Sequence, residues 1–237
     1  MALCSGALNS VAGGGSFLTF PTLIFTGVPP IEANATSSFA LWFGTIGSAR
    51  GYKEEVRQHR HLMLLALIVS ACGALIGALL LLRTPEQMFT RLIPFLLLFA
   101  TLVFAFSPLL GAAKITTTRH LSPWQLAAQF VTAIYGGYFG AGMGFVMLAI
   151  LAFSGLPNFN AMNAVKNVLA VAINGVALIP FIIAGIIVWP QALLMAVAAI
   201  IGGYFGSRIA RRLPARALRA LVICLGIAMT AYFFVRR

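Results

Sequence analysis

The sequence predicts an all-α polytopic membrane protein of two inverted four-segment repeats, each with a glycine-broken re-entrant first helix and three spanning helices. Three observations predict it. Of 237 residues, 61% are hydrophobic and only 8% charged, where ordinary globular chains carry about 25% charged residues. Every charged residue except Glu32 and Lys166 falls between apolar runs or at their ends. The chain also repeats itself at a spacing of 129 residues.

A span and its loop take about 28 residues, so the length holds about eight segments. They run over 1–26, 31–49, 62–82, 92–113, 122–153, 161–187, 190–207 and 217–235. Each is helical where it meets lipid, because hydrocarbon cannot satisfy free backbone groups, and none shows the alternation of a barrel strand. The first carries Gly13-Gly14-Gly15 and then Pro21; with no basic region ahead of it, it predicts no cleaved leader. The second opens on Glu32, read as a helix N-terminal charge or, alternatively, a proton carrier. The third carries Gly73 and Gly77, spaced for close helix packing, and the fourth is a plain apolar run. The fifth starts at Pro123-Trp124 and carries Gly136-Gly137, Gly140, Gly142 and Gly144. The sixth holds the polar set Asn163, Lys166 and Asn167. The seventh starts at Trp189-Pro190 and carries Gly202 and Gly206, and the eighth closes before Arg236. Both tryptophans sit where interfacial anchors belong. Glycine costs about 1 kcal/mol against Ala inside a helix and lets the backbone turn sharply. The first and fifth segments therefore read as broken at mid-depth, with helix packing through small residues as the alternative.

Shifting the chain by 129 brings Asn34-Ala35 onto Asn163-Ala164, Gly73 and Gly77 onto Gly202 and Gly206, and Arg83 and Pro85 onto Arg212 and Pro214. Upstream, a shift of 128 aligns Gly14, Phe17, Gly27 and Pro29 with Gly142, Phe145, Gly155 and Pro157. The whole chain is one transporter-like membrane domain, with repeat 1 over 1–113 and repeat 2 over 120–237. If all eight segments span, the basic residues divide eight against seven, which violates the positive-inside rule. If the two glycine-broken segments enter and leave on one side, loops 50–61, 114–119 and 208–219 share a cytoplasmic face with eleven basic residues against four opposite. That arrangement inverts the halves. It also explains why the basic loop at 50–60 has an uncharged counterpart near 185–190, since equivalent loops of inverted repeats face opposite sides.

Two stretches carry a family likeness. One is Ala12-Gly13-Gly14-Gly15-Ser16-Phe17, continuing through Pro21 and Gly27-Val28-Pro29 to Asn34-Ala35-Thr36-Ser37; the other is Gly140-Ala141-Gly142-Met143-Gly144, continuing to Asn163-Ala164-Val165-Lys166-Asn167. With the duplication, they make nearly the whole chain resemble the sulfite exporter TauE/SafE family of membrane permeases. The resemblance implies transport of sulfite or of small organosulfur anions such as sulfonates, sulfoacetate-like molecules among them. Family members carry a longer apolar stretch before the first glycine cluster than the twelve residues here. A truncated start and a short first half-helix are the two readings of that departure.

A broken helix places free N–H groups and the positive end of a helix dipole at mid-membrane, where they attract anions. The fresh helix starts lie near Ser16, with Gly14 and Gly15 before it, and near Phe145, with Gly142 and Gly144 beside it; inverted symmetry brings both toward one centre. Ser16 and Thr19 offer hydroxyls there, or else bond back to their own helix. Asn163, Lys166 and Asn167 share one helix face, and the repeat makes Asn34, Ser37 and Ser38 its equivalent, with Thr36 between them. Lys166 is the one basic residue inside an apolar segment. It either contacts the ligand, compensating an anion or carrying a proton, or snorkels to the interface.

The net charge of +12 comes from short basic clusters between apolar runs, which act as topology signals and not as a nucleic-acid surface. There is no Asp, and His59, His61 and His120 lie in loops, so metal transport and carboxylate proton relays are disfavoured. Cys4, Cys72 and Cys224 sit singly in apolar stretches, with no CxxC. No nucleophile is paired with a base, so an intramembrane enzyme is disfavoured and no cofactor is expected. The sequence thus predicts an alternating-access permease for a small anion in the cell (inner or plasma) membrane, with the lipid bilayer as partner and a homo-oligomer left open. A non-transporting scaffold or assembly factor, whose glycine motifs only pack helices, is the alternative.

Overall fold

The computed structural model describes residues 1–12, 14–50, 57, 60–110, 121–154, 156, 159–210 and 215–235. Gly13 and most of the basic loops fall outside them, so the sidedness assigned to loops 50–61, 114–119 and 208–219 lies outside the described residues. Among the described residues are ten helices and no strand. They are α1 (Ala2–Ala12), α2 (Ser16–Phe25), α3 (Pro30–Arg50), α4 (Arg60–Arg83), α5 (Glu86–Leu110), α6 (Pro123–Tyr138), α7 (Met143–Leu151), α8 (Phe159–Ile183), α9 (Trp189–Ala210) and α10 (Ala215–Val235). Eight segments become ten helices because the first and fifth are each interrupted at their glycines.

Local chemistry sets the boundaries. The Ser122 N–H donates to Gln125 Oε1 at 2.8 Å, and Pro123 occupies the first turn, so α6 starts where a capping box and a proline permit it. The fourth segment begins at Glu86, six residues before its apolar run, since Pro85 and an acidic residue both suit a helix start. The sixth ends at Ile183 and not near 187. Gly185 there takes φ +69°, and the Ile186 N–H returns to Phe181 O at 3.3 Å, the bond of a left-handed helix stop.

Three helices are long and apolar enough to cross a membrane among the described residues: Met63–Arg83 of α4, Glu86–Val103 of α5 and Ala161–Ile183 of α8. Ser16–Phe25, Trp189–Gly203 and Ile223–Val235 are shorter apolar stretches. Although 21 residues long, α3 is not among them, because it spends its length on Asn34, Thr36, Ser37, Ser38, Thr45 and Ser48.

The main packing partners pair helices from opposite halves of the chain. In the first half, α1 lies on α9; the repeat equates α1 with α6 and α9 with α4, and α6 lies on α4. Likewise α3 packs on α9 as α8 packs on α4, and α3 meets α8 as α5 meets α10. Glycine makes the tightest of these contacts possible. A Cβ on Gly73 would sit 2.7 Å from Phe130 O of α6, one on Gly77 would overlap Ile134 O, and one on Gly202 would overlap Leu3 O of α1.

The two breaks differ. In the second, Gly140 and Gly142 take φ +76° and +72°, the left-handed conformation that glycine adopts at least cost. In the first, Gly15 is right-handed at φ −57°, so no left-handed turn calls for glycine there. Space does: a Cβ on Gly15 would lie 2.9 Å from Asn9 Cβ, Leu41 Cδ2 and Ser5 O. The breaks also touch reciprocally. Gly14 faces the Phe145 ring and Gly142 faces the Phe17 ring, and these four residues exchange under the 128-residue shift.

Candidate anion site

A small cavity, partly open at its mouth, lies where the breaks meet α3 and α8. Its wall from the first half is Asn9 of α1, Ser16 at the start of α2, and Ser38, Leu41 and Thr45 of α3. Its wall from the second half is Gly140 of the break, Met143 and Gly144 at the start of α7, and Lys166, Asn167, Ala170 and Asn174 of α8. Eight of these twelve residues form four repeat-related pairs: Ser16 with Gly144, Ser38 with Asn167, Leu41 with Ala170, and Thr45 with Asn174. On each helix the three paired positions are spaced by three and four residues, one stripe down one face. Trp42 Nε1 donates to Val171 O at 2.9 Å, a bond between two positions 129 apart, beside the stripe on each helix.

The walls differ in chemistry. Lys166 is 1% exposed, so its ammonium does not snorkel to an interface. Its Nζ, and Nδ2 of buried Asn167, have no hydrogen-bond partner among the described residues. Two buried donors on residues that line one cavity suit a ligand rich in acceptors, since an unpaired buried donor is unfavourable and an unpaired ammonium far more so. No other described lining residue carries a charge. Opposite, Asn9 Nδ2 donates to Thr45 Oγ1 at 3.0 Å, and Thr45 Oγ1 donates to Leu41 O at 2.9 Å, so part of that wall is already satisfied. Residue 37 corresponds to 166, and Ser37 shares a 2.6 Å hydrogen bond with Thr19, which also donates to Gly15 O at 3.3 Å. Where the second half buries an unpaired cation, the first buries a closed hydroxyl pair.

Of the residues the sequence proposed, the cavity gathers Ser16, Gly144, Lys166 and Asn167. The others sit around it in supporting positions. Asn34 Nδ2 donates to Tyr138 O at 3.1 Å, holding the last turn of α6. Thr36 accepts from the Val188 N–H at 3.1 Å, ahead of α9. Ser37 is held by Thr19. Gly14, Gly15 and Gly142 shape the breaks, as described above, and Asn163 is buried with an unpartnered Oδ1 but does not line the cavity. Turn bonds also take N–H groups expected to be free: Phe17 donates to Gly14 O, Leu18 and Thr19 to Gly15 O, Met143 to Gly140 O and Phe145 to Gly142 O. Sequence reasoning missed Asn9, Thr45 and Asn174, and with them Leu41, Met143 and Ala170. Following the 38 and 167 positions two further turns, in steps of three and then four, would have found all of these but Asn9 and Met143. The breaks are latched by unrelated side chains, Ser5 Oγ donating to Gly15 O at 2.6 Å and the Tyr135 hydroxyl to Ala141 O at 2.6 Å.

Apolar helices around a buried polar cavity with broken helices at its centre describe an integral membrane protein of the transporter class. The comparisons make this specific. Residues 1–233 match the sulfite exporter TauE/SafE family, and the chain belongs to it. Among curated relatives it is 29% identical to a "Probable membrane transporter protein ORF9" of a Sinorhizobium species, over 96% of this chain and 87% of the relative. It is 27% identical to the "Probable membrane transporter protein YfcA" of Escherichia coli K12, over 98% and 86%. A "Probable membrane transporter protein" of Haemophilus influenzae is 26% identical, over 94% and 88%. No solved structure matches the chain. The chain is therefore a membrane transporter of this family, which is one of transporters and not of enzymes.

Proposed function

We propose that this chain is a multi-pass permease of the cell membrane that moves a small sulfur-containing anion, sulfite or a small organosulfonate, by alternating access between two inverted halves. One observation carries the reading: Lys166 Nζ and Asn167 Nδ2 are buried and unpartnered among the described residues, and both residues line one cavity. An anion with several oxygen acceptors satisfies both donors at once, and charge-assisted hydrogen bonds are the strong ones. The starts of α2 and α7, at Ser16 and Gly144, add helix-dipole charge of the same sign, up to about half a unit each. Inversion is supported by the exchange of packing partners, by the reciprocal Gly14–Phe145 and Gly142–Phe17 contacts, and by the charge asymmetry of the loops. A cavity of repeat-related positions close to the Trp42–Val171 bond fits a site that two inverted halves open alternately to either face.

The test is flux. Purified protein in proteoliposomes should move sulfite or a small sulfonate in a saturable way, and Lys166→Gln should raise the half-saturating concentration at least tenfold. Saturable flux with unchanged half-saturation in Lys166→Gln would remove Lys166 from the site. No flux of either anion would remove the substrate class.

A further inference from the structure

We infer that the cavity is an anion-exchange site: an anion released on one side must be replaced by another before the carrier returns. The inference rests on the transport reading above and names the coupling of that same site.

Three observations lead to it. Lys166 Nζ is enclosed without a partner, and it is the one charged group in the lining, among the described residues. Among the described residues no carboxylate is placed to neutralise it: there is no Asp in the sequence, and Glu32 and Glu86 occupy first turns outside the lining. The equivalent place in the other half is filled by the neutral Thr19–Ser37 pair, so the symmetry supplies no second charge, positive or negative.

Alternating access requires the site to be sealed from both faces on the way between them. Sealed around an anion, the cavity encloses an ion pair with satisfied donors. Sealed empty, it encloses a lone ammonium in a low-dielectric interior, where an uncompensated charge is strongly unfavourable. A ligand shifts a conformational equilibrium by its differential affinity for the two states, and here the anion favours the sealed state through charge compensation. Loaded carriers therefore cross readily and empty ones slowly, which makes exchange fast and net movement slow. Because eight of the twelve described lining residues are repeat-related, either opening leads to the same lysine, and the incoming anion takes the place of the outgoing one.

The experiment uses the full chain in proteoliposomes loaded with radiolabelled sulfite, diluted either into unlabelled sulfite or into gluconate as an impermeant anion. Efflux into sulfite should be at least tenfold faster than into gluconate. Lys166→Gln should bring that ratio close to one, and Lys166→Arg, which keeps a charge, should hold it well above one. Equal wild-type efflux into both buffers, including net efflux accompanied by a proton, overturns the inference and leaves the transport reading standing. A high ratio retained by Lys166→Gln also overturns it, by removing the lysine as the cause. No efflux in either buffer, with labelled sulfite or with a labelled small sulfonate loaded and offered in its place, overturns the transport reading and this inference with it. If Lys166→Gln does not insert, the wild-type ratio and Lys166→Arg still decide.

Discussion

On α3 the polar stripe runs through Asn34, Ser37, Ser38 and Thr45; on α8 the repeat puts Asn163, Lys166, Asn167 and Asn174 in the corresponding places. The first stripe is largely spent inside the protein, with Asn34 on Tyr138 O, Ser37 on Thr19 and Thr45 on Leu41 O. The second keeps its donors for the cavity: Lys166 Nζ and Asn167 Nδ2 bond to nothing among the described residues. Equivalent positions thus carry different chemistry: one wall supports the breaks, and the other is the wall proposed to meet the ligand.

Charge removal breaks this comparison hardest. Lys166→Gln should weaken anion binding by roughly ten- to a hundredfold, the equivalent of about 1.5–3 kcal/mol for a hydrogen bond to a charged group. Ser37→Ala at the equivalent position should leave half-saturation of flux within about twofold. A large affinity loss from Ser37→Ala would show both walls to be binding walls.

The breaks come next. Gly142→Ala must hold a side chain at φ +72° with its Cβ 2.8 Å from Ala100 Cβ, whereas Gly14→Ala meets the Phe145 ring edge at 3.2 Å and the Phe17 ring at 3.6 Å. The left-handed conformation alone costs about 1–2 kcal/mol for a residue with a Cβ. Thermal unfolding in detergent should therefore show a clear loss for Gly142→Ala and a smaller one for Gly14→Ala. Equal losses would show that the second break does not depend on its left-handed glycine.

A smaller effect is expected inside the first wall. Thr19→Val leaves the buried Ser37 hydroxyl without its 2.6 Å partner, and should lower stability by about 1–3 kcal/mol with sulfite affinity unchanged. Least of all, Thr45→Val should shift half-saturation by no more than about threefold, because its hydroxyl is already bonded to Leu41 O and Asn9.

Much of this was legible in the sequence, for physical reasons. Lipid imposes long apolar runs, glycine clusters mark where helices stop or approach closely, and a lysine in an apolar segment is unfavourable enough to stand out. The helix interruptions fell at the predicted glycines, and segment ends moved by a few residues where Pro85 or Gly185 decided them. What composition and spacing left out was partnership. The repeat equates Ser37 with Lys166, yet only a structure shows that Thr19 takes the serine out of the cavity while Met147, at the corresponding position of α7, offers Lys166 no hydroxyl. Asn9 carried no signal, since it is a lone amide in an apolar run that reaches the cavity through the fold of the break.

The central claim is that an anion sits in this cavity against Lys166. A structure of the protein with selenite, which shares the shape and charge of sulfite and scatters anomalously, tests it directly. An anion bound there gives one anomalous peak with its oxygens about 2.7–3.2 Å from Lys166 Nζ and Asn167 Nδ2, lost in Lys166→Gln. A saturating selenite concentration that leaves the cavity without a peak, or places it away from α8, would contradict it.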